Sequence, residues 1–187
     1  VVIDHHQAGE HLPPAVAIVN PNREDDLSGL GHLCAVGLVF VTMVGLVRRL
    51  RALNHWTTDR PAPDLLAALD LVALGTVADV VPLKGLNRAY VTKGLIALRR
   101  RQRPGLTALM DCARLDGPPR PWHLGFLLGP RINAGGRIGD ATLGTRLLLT
   151  RDPVEARTIA AELDRLNSER QAVEQGILAA AEAEAQL

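Results

Sequence analysis

The sequence predicts an α/β fold: part of a parallel sheet with a helical layer after it, ending in one long helix. Three observations carry that reading. V-V-I at residues 1–3 and A-V-A-I-V at residues 15–19 are continuous apolar runs rich in β-branched residues, the pattern of parallel strands covered on both faces. From Leu33 onward apolar residues recur at helical spacing in one segment after another, so helices outnumber strands. Residues 152–187 keep one apolar stripe and an otherwise charged surface.

Each element has its own justification. The first strand runs into Asp4, His5 and His6, and the second is ended by Asn20-Pro21, because proline cannot continue a ladder. Residues 22–32 are polar and contain glycine, a loop. Leu33 to Leu53 is helical and finishes in R-R-L-R, which suits the negative end of a helix dipole. Thr58 to Pro63 is a turn, and Asp64 is placed to cap a helix at Leu65–Leu74. After the apolar run A-L-G-T-V-A-D-V-V-P-L, Asn87–Arg101 is a further helix with a basic end.

Short helices are expected at 106–115 and 123–129, separated by G-P-P-R-P. Next comes the glycine-rich G-P-R-I-N-A-G-G-R-I-G, read as a flexible stretch, and then a helix at Leu143–Leu149. The last element starts on Asp152 as N-cap, Pro153 at the first position and Glu155 three residues in, a start resembling a capping box. Its stripe is Ile159, Leu163, Leu166, Val173 and Ile177. Helical throughout, it would be about 50 Å long.

Composition narrows the function. The chain is 47% apolar with only 3% aromatic residues, so an aromatic platform for stacking bases is not expected. A net charge of +1 excludes a general polycation and leaves room for a local basic groove. Cys34 and Cys112 stand far apart in apolar surroundings and read as the reduced thiols of a cytoplasmic protein. The longest apolar stretch, Leu33 to Val47, is broken by Gly37, Thr42 and Gly45 and falls short of the roughly 20 residues that span a bilayer. No membrane partner or secretion signal is expected. The chain begins inside a strand without Met and ends in A-E-A-E-A-Q-L without a helix stop. It is therefore expected to be an interior piece of a longer protein, with residues 1–151 as one domain and 152–187 as a connector.

The chemistry-bearing residues cluster in three places. Asp4-His5-His6 falls at the carboxyl end of a strand, where open α/β sheets bind ligands. Adjacent strand residues face opposite ways, so one imidazole can hold a divalent cation while the other donates to a substrate phosphate, with Asp4 orienting the pair. The alternative is three polar residues that merely end a strand. Asp79 is the one charge between Asp70 and Lys84. An unpaired buried carboxylate costs several kcal/mol, so it must meet a cation, a metal or N–H donors, unless it only caps a turn near Pro82. His5 with Asp79 suits Mn²⁺ or Mg²⁺ better than zinc, and two ligands are too few for a complete site. Arg131, Asn133 and Arg137 lie in the glycine-rich stretch, where guanidinium forks can bind phosphate or simply face solvent. The basic run Arg99 to Arg103 reads as a solvated helix end. No P-loop, dinucleotide fingerprint or nucleophile elbow is present.

D-H-H after a strand, L-G-T-V-A-D-V-V-P-L further on and G-P-R-I-N-A-G-G-R after that resemble, as an ordered set, the DHH phosphoesterase superfamily and most closely its RecJ branch of single-strand-specific exonucleases. The N-P-N-R-E-D-D-L loop and the L-D-x-L-N-x-E-R-Q helix are similar to that branch too. The resemblance implies a parallel-sheet DHH domain, with the final helix leading to a second, DHHA1 domain. It implies His5 and Asp79 as metal ligands and His6 at the scissile phosphate beside Asp4. Arg137, with Arg131 and Asn133, would hold substrate phosphate. It further implies two-metal hydrolysis with Mn²⁺ or Mg²⁺, in which the cations neutralise developing charge. Single-stranded DNA would be cut from 5′ to 3′ in repair and recombination. The family's more amino-terminal D-x-D aspartates are missing from this sequence, so the chain alone is expected to be inactive. A family member acting on short oligonucleotides or cyclic dinucleotides, and a non-catalytic nucleic-acid-binding scaffold, are the alternatives.

Overall fold

The structure, a computed structural model, describes residues 1–185. Gln186 and Leu187, the end of the expected connector, lie outside the described residues. The chain's own contacts divide it into two compact units, Val1–Ala97 and Leu98–Leu187.

In the first unit, strands β1 (Val2–Ile3) and β2 (Ile18–Val19) pair in parallel with Val2 opposite Ile18 and Ile3 opposite Val19. The expected strands and their parallel pairing are therefore present, but short. The amide of Val2 donates to the carbonyl of Ala17 and that of Asp4 to Val19, and there the regular ladder stops. Helix α1 (Ala35–Ala52) follows the polar loop, and a single 3₁₀ turn (Leu65–Ala68) leads into α2 (Leu69–Ala78). Asp64 caps that turn as expected, accepting from the Leu66 amide at 3.0 Å. Helix α3 (Gly85–Arg99) comes next and carries the division between the units.

The core of this unit joins Leu33 and Leu38 with Leu69, Val72 and Tyr90, and Ile3 of β1 packs against them. Burying a side chain of that size contributes about 1.5–3 kcal/mol. This cluster is what seats the strand end, because Ile3 lies one residue before Asp4.

The second unit is helical. Helix α4 (Pro104–Cys112) begins on a proline at its first turn, and α5 (Pro121–His123) runs through a π-turn (Leu124–Leu128) directly into α6 (Gly129–Ile138). Helix α7 (Thr142–Leu149) and the long α8 (Pro153–Ala185) complete it. The glycine-rich segment read as flexible is thus a helix. A Cβ at Gly135 would stand 2.9 Å from the Asp140 carbonyl and 3.2 Å from a Leu163 methyl. Its glycine serves close packing on α8, and that packing outweighs the roughly 1 kcal/mol that glycine costs a helix.

Asp152 caps α8 by accepting from the Val154 amide at 2.8 Å. Glu155 accepts from the Thr150 hydroxyl at 2.5 Å and from Arg146, where a full capping box would return to the N-cap amide. Only the first half of the apolar stripe is covered. Ile159, Leu163 and Leu166 are buried, whereas Val173 and Ile177 are 58% and 65% exposed. The unit boundary also differs from the expected 151/152 division, because α8 packs on α4, α6 and α7. No helix among the described residues is long and apolar enough to cross a membrane.

Candidate metal centre

Asp4, His5 and His6 sit just past the end of β1, as the sequence predicts. Asp4 folds back over its own chain. One carboxylate oxygen, Oδ1, accepts from the His5 amide at 2.8 Å, from the His6 amide at 3.4 Å and pairs with His6 Nδ1 at 2.8 Å. The His6 imidazole beside Asp4, together with the His5 amide, holds the carboxyl below its usual range. With Nδ1 on Asp4, the Nε2 atom of His6 is the edge left for another group, and the side chain is 78% exposed.

His5 faces elsewhere. Its side chain is only 17% exposed, and Nε2 stands 3.4 Å from Oδ2 of Asp79. The two rings are 4.5 Å apart. Adjacent residues thus present their imidazoles to different partners, but not by strand alternation: β1 ends at Ile3 and the chain bends at His6, which leaves the two rings side by side.

Asp79 is reached from the other side of the unit. It is the C-cap of α2, its amide donating to the Gly75 carbonyl at 3.0 Å. Its side chain is 39% exposed, so the expectation of a buried carboxylate is corrected. The apolar flanks are the end of a helix. The buried carboxylate of this stretch is Asp70, 6% exposed at the start of α2, with Oδ1 accepting from the Leu71 amide. Asp79 occupies a costly place. A carboxylate at the carboxyl end of a helix opposes the dipole, and the next residue, Val80, is held at φ 60° with 87% exposure, a strained conformation for a β-branched residue. Local costs of this kind are tolerated where a side chain must be aimed.

Imidazole and carboxylate together form a donor set suited to Mn²⁺ or Mg²⁺. Cis ligands of an octahedral ion with bonds of about 2.1 Å lie about 3 Å apart, close to the observed 3.4 Å. Among the described residues no group of three or more His, Cys, Asp or Glu is arranged to hold a metal, so His5 and Asp79 make a partial set.

The remaining predicted residues belong to α6 in the second unit. Asn133 and Arg137 stand four positions apart on one exposed face of that helix, as helical neighbours do. Arg131 is engaged differently from the expectation of a phosphate ligand. Its Nε donates to Asp164 of α8 at 2.7 Å and its Nη1 to the Leu127 carbonyl at 2.8 Å, with the side chain 16% exposed. The helical register turns it toward a protein carboxylate.

Sequence reasoning missed Asn20 and Asn22. Asn20 is buried and donates to the His6 carbonyl at 2.9 Å, and Asn22 donates to the His5 carbonyl at 2.6 Å. The one signal available was N-P-N directly after a strand.

No family model matches the chain. It is 45% identical to the single-stranded-DNA-specific exonuclease RecJ of Dickeya dadantii over 181 residues, covering 95% of this chain and 31% of that protein. Against RecJ of Escherichia coli the identity is likewise 45%, with 95% and 31% covered. Among solved structures, an exonuclease RecJ bound to manganese superposes with a TM-score of 0.79 at 37% identity, over 95% of this chain and 42% of that one. RecJ of Thermus thermophilus in complex with Mn²⁺ gives 0.78 at 36% identity, over 94% and 25%. Over this stretch the chain belongs to the RecJ family. It spans about a third of the length of the curated relatives it matches.

Proposed function

We propose that this chain supplies part of the catalytic centre of a metal-dependent exonuclease that degrades single-stranded DNA from 5′ to 3′ in DNA repair and recombination, in the cytoplasm. The observation that carries the reading is the approach of His5 Nε2 to Asp79 Oδ2, 3.4 Å apart at the carboxyl end of the sheet. Relatives described as single-stranded-DNA-specific exonucleases, and solved relatives with Mn²⁺ or Mg²⁺, support it.

In this reading His5 and Asp79 hold a divalent cation, one of two in a complete site. A cation there supplies positive charge to a phosphodiester whose oxygens grow more negative during hydrolysis. The protein's own groups do the rest. Asp4 fixes the His6 ring through Nδ1, so that Nε2 is presented to substrate phosphate without losing time to ring rotation. On the second unit, Arg137 and Asn133 form an exposed pair of donors for substrate phosphate. Arg131, already paired with Asp164, positions α6 on α8.

Two ligands hold a cation weakly, so the 187-residue chain by itself is expected to release no mononucleotides from long single-stranded DNA with Mn²⁺. A longer protein containing it is expected to release them from a 5′ end and to lose at least 100-fold in rate on His5→Ala or Asp79→Asn. Equal hydrolysis of dinucleotides and long strands would favour the short-substrate alternative. Full activity of His5→Ala would leave the scaffold reading.

A further inference from the structure

The regular ladder between β1 and β2 ends at the Asp4 amide, yet the next two residues are the histidines on which the proposed site depends. Their backbone groups are nevertheless held, and side chains hold them. On the amide side, Asp4 Oδ1 accepts from both His5 and His6. On the carbonyl side, Asn22 Nδ2 donates to His5 at 2.6 Å and Asn20 Nδ2 donates to His6 at 2.9 Å.

This arrangement explains N-P-N. Beyond Val19 the chain reaches Pro21, which has no amide hydrogen to offer, so β2 cannot continue as a backbone donor. The two asparagine amides take over that role across the turn. Asn20 is used at both ends, because its Oδ1 accepts from the Asn22 amide at 2.9 Å while its Nδ2 reaches His6. With both ends partnered, its amide has one orientation. Asn22 is confined by Gly31: a Cβ there would stand 2.5 Å from Asn22 Oδ1, and the Gly31 carbonyl also lies 3.4 Å from Nδ2. Asn20 is 7% exposed, so an unmet carbonyl in its place would lack easy access to water.

We propose that Asn20 and Asn22 are positioning residues that set the directions of the two imidazoles, turning His5 toward Asp79 and His6 toward Asp4. The proposal rests on the reading of His5 and Asp79 as a cation site, and it makes the loop after β2 part of that site without touching metal or substrate. Groups that orient a ligand from behind typically change metal affinity 10- to 100-fold when removed.

The test uses the 187-residue chain and two measurements. The first is the set of histidine ring resonances without metal, and the second is Mn²⁺ titration followed by selective broadening of the His5 ring. Asn20→Ser retains an acceptor for the Asn22 amide and removes the donor to His6. Asn22→Ala removes the donor to His5, with Asn22→Ser as substitute if the alanine variant does not fold. We expect Asn20→Ser to shift the His6 ring and Asn22→Ala to shift the His5 ring, with His55 and His123 unmoved. Asn22→Ala should also weaken Mn²⁺ at least tenfold. Folded variants whose His5 and His6 resonances coincide with those of the parent chain would overturn the proposal. Failure of Mn²⁺ to broaden the His5 ring of the unsubstituted chain would sink the cation reading instead, and the metal-free resonances still decide the role of the asparagines.

Discussion

His5 at the end of β1 and Asp79 at the end of α2 bring Nε2 and Oδ2 to within 3.4 Å of each other. A strand end and a helix end are thus joined by two side chains, of which Asp79 stands against the dipole of its own helix. The helix dipole disfavours Asp79 by about 0.3–1 kcal/mol. Removing that charge with Asp79→Asn should therefore leave the stability of the metal-free chain unchanged or raised by at most about 1 kcal/mol. In the same variant Mn²⁺ should lose its stabilising effect. Urea unfolding with chelator and with Mn²⁺ checks both halves, and a Mn²⁺ stabilisation equal to that of the parent would remove Asp79 from the site.

Val80 stores strain beside it. At φ 60° a left-handed conformation costs a residue with Cβ about 1–2 kcal/mol, and glycine's added chain freedom returns roughly half of that to the unfolded state. Because Val80 is exposed, little packing is lost, and Val80→Gly should stabilise the chain by about 0.5–1 kcal/mol. A destabilised glycine variant would mean that the valine side chain makes a contact of its own.

The two arginines of α6 should separate cleanly. Arg131→Ala breaks the pairing with Asp164 and the bond to Leu127 and should cost about 1–2 kcal/mol, the partial exposure of Asp164 lowering the figure. Arg137→Ala removes an exposed side chain and should stay within about 0.5 kcal/mol of the parent. Binding of a single-stranded oligonucleotide at low salt should show the reverse order, with Arg137→Ala the weaker binder. If Arg131→Ala were the more harmful to binding in a folded chain, the assignment of roles would have to be exchanged.

His123 gives a pH dependence. Its Nδ1 accepts from the Arg120 amide at 2.8 Å and the ring is buried, which requires the neutral form. Burial, and then the positive charge of Arg120, hold its pKa below 6.5. The unfolded chain takes up the proton near 6.5 and the folded chain resists it, so the unfolded state binds more protons between the two values. The contribution is complete above about 6.5 and is lost as pH falls toward the folded value. Urea midpoints at pH 7.5 and 5.5 should therefore fall more in the parent than in His123→Gln, which keeps an acceptor without titrating. Parallel curves would contradict a neutral buried ring.

Much of this was readable from the chain. The caps at Asp64 and Asp152, the helical periods and the run of Asp4, His5 and His6 at a strand end are local patterns, and each has its structural counterpart. Other features were hidden because a local rule was overruled at a distance. Three glycines in G-P-R-I-N-A-G-G-R argue against a helix, but Leu163 and Asp140 need the space at Gly135. The apolar flanks of Asp79 implied burial, whereas they line a helix end that opens to solvent. Periodicity drew one stripe along α8, and only its first half finds helices to cover it.

Residue order alone settled that strands pair in parallel ahead of a helical layer, that helical segments start on the caps Asp64 and Asp152, and that chemistry gathers after β1. These follow from hydrophobic spacing, proline and caps, which act over a few residues. Convergence of distant segments decided the rest: that His5 meets Asp79, that Arg131 is taken by Asp164, and that Asn20 and Asn22 grip the two histidine carbonyls. A hydrogen bond needs its partners within about 3 Å and correctly angled, and no local pattern specifies which of several asparagines or acids the packed core will bring to that distance.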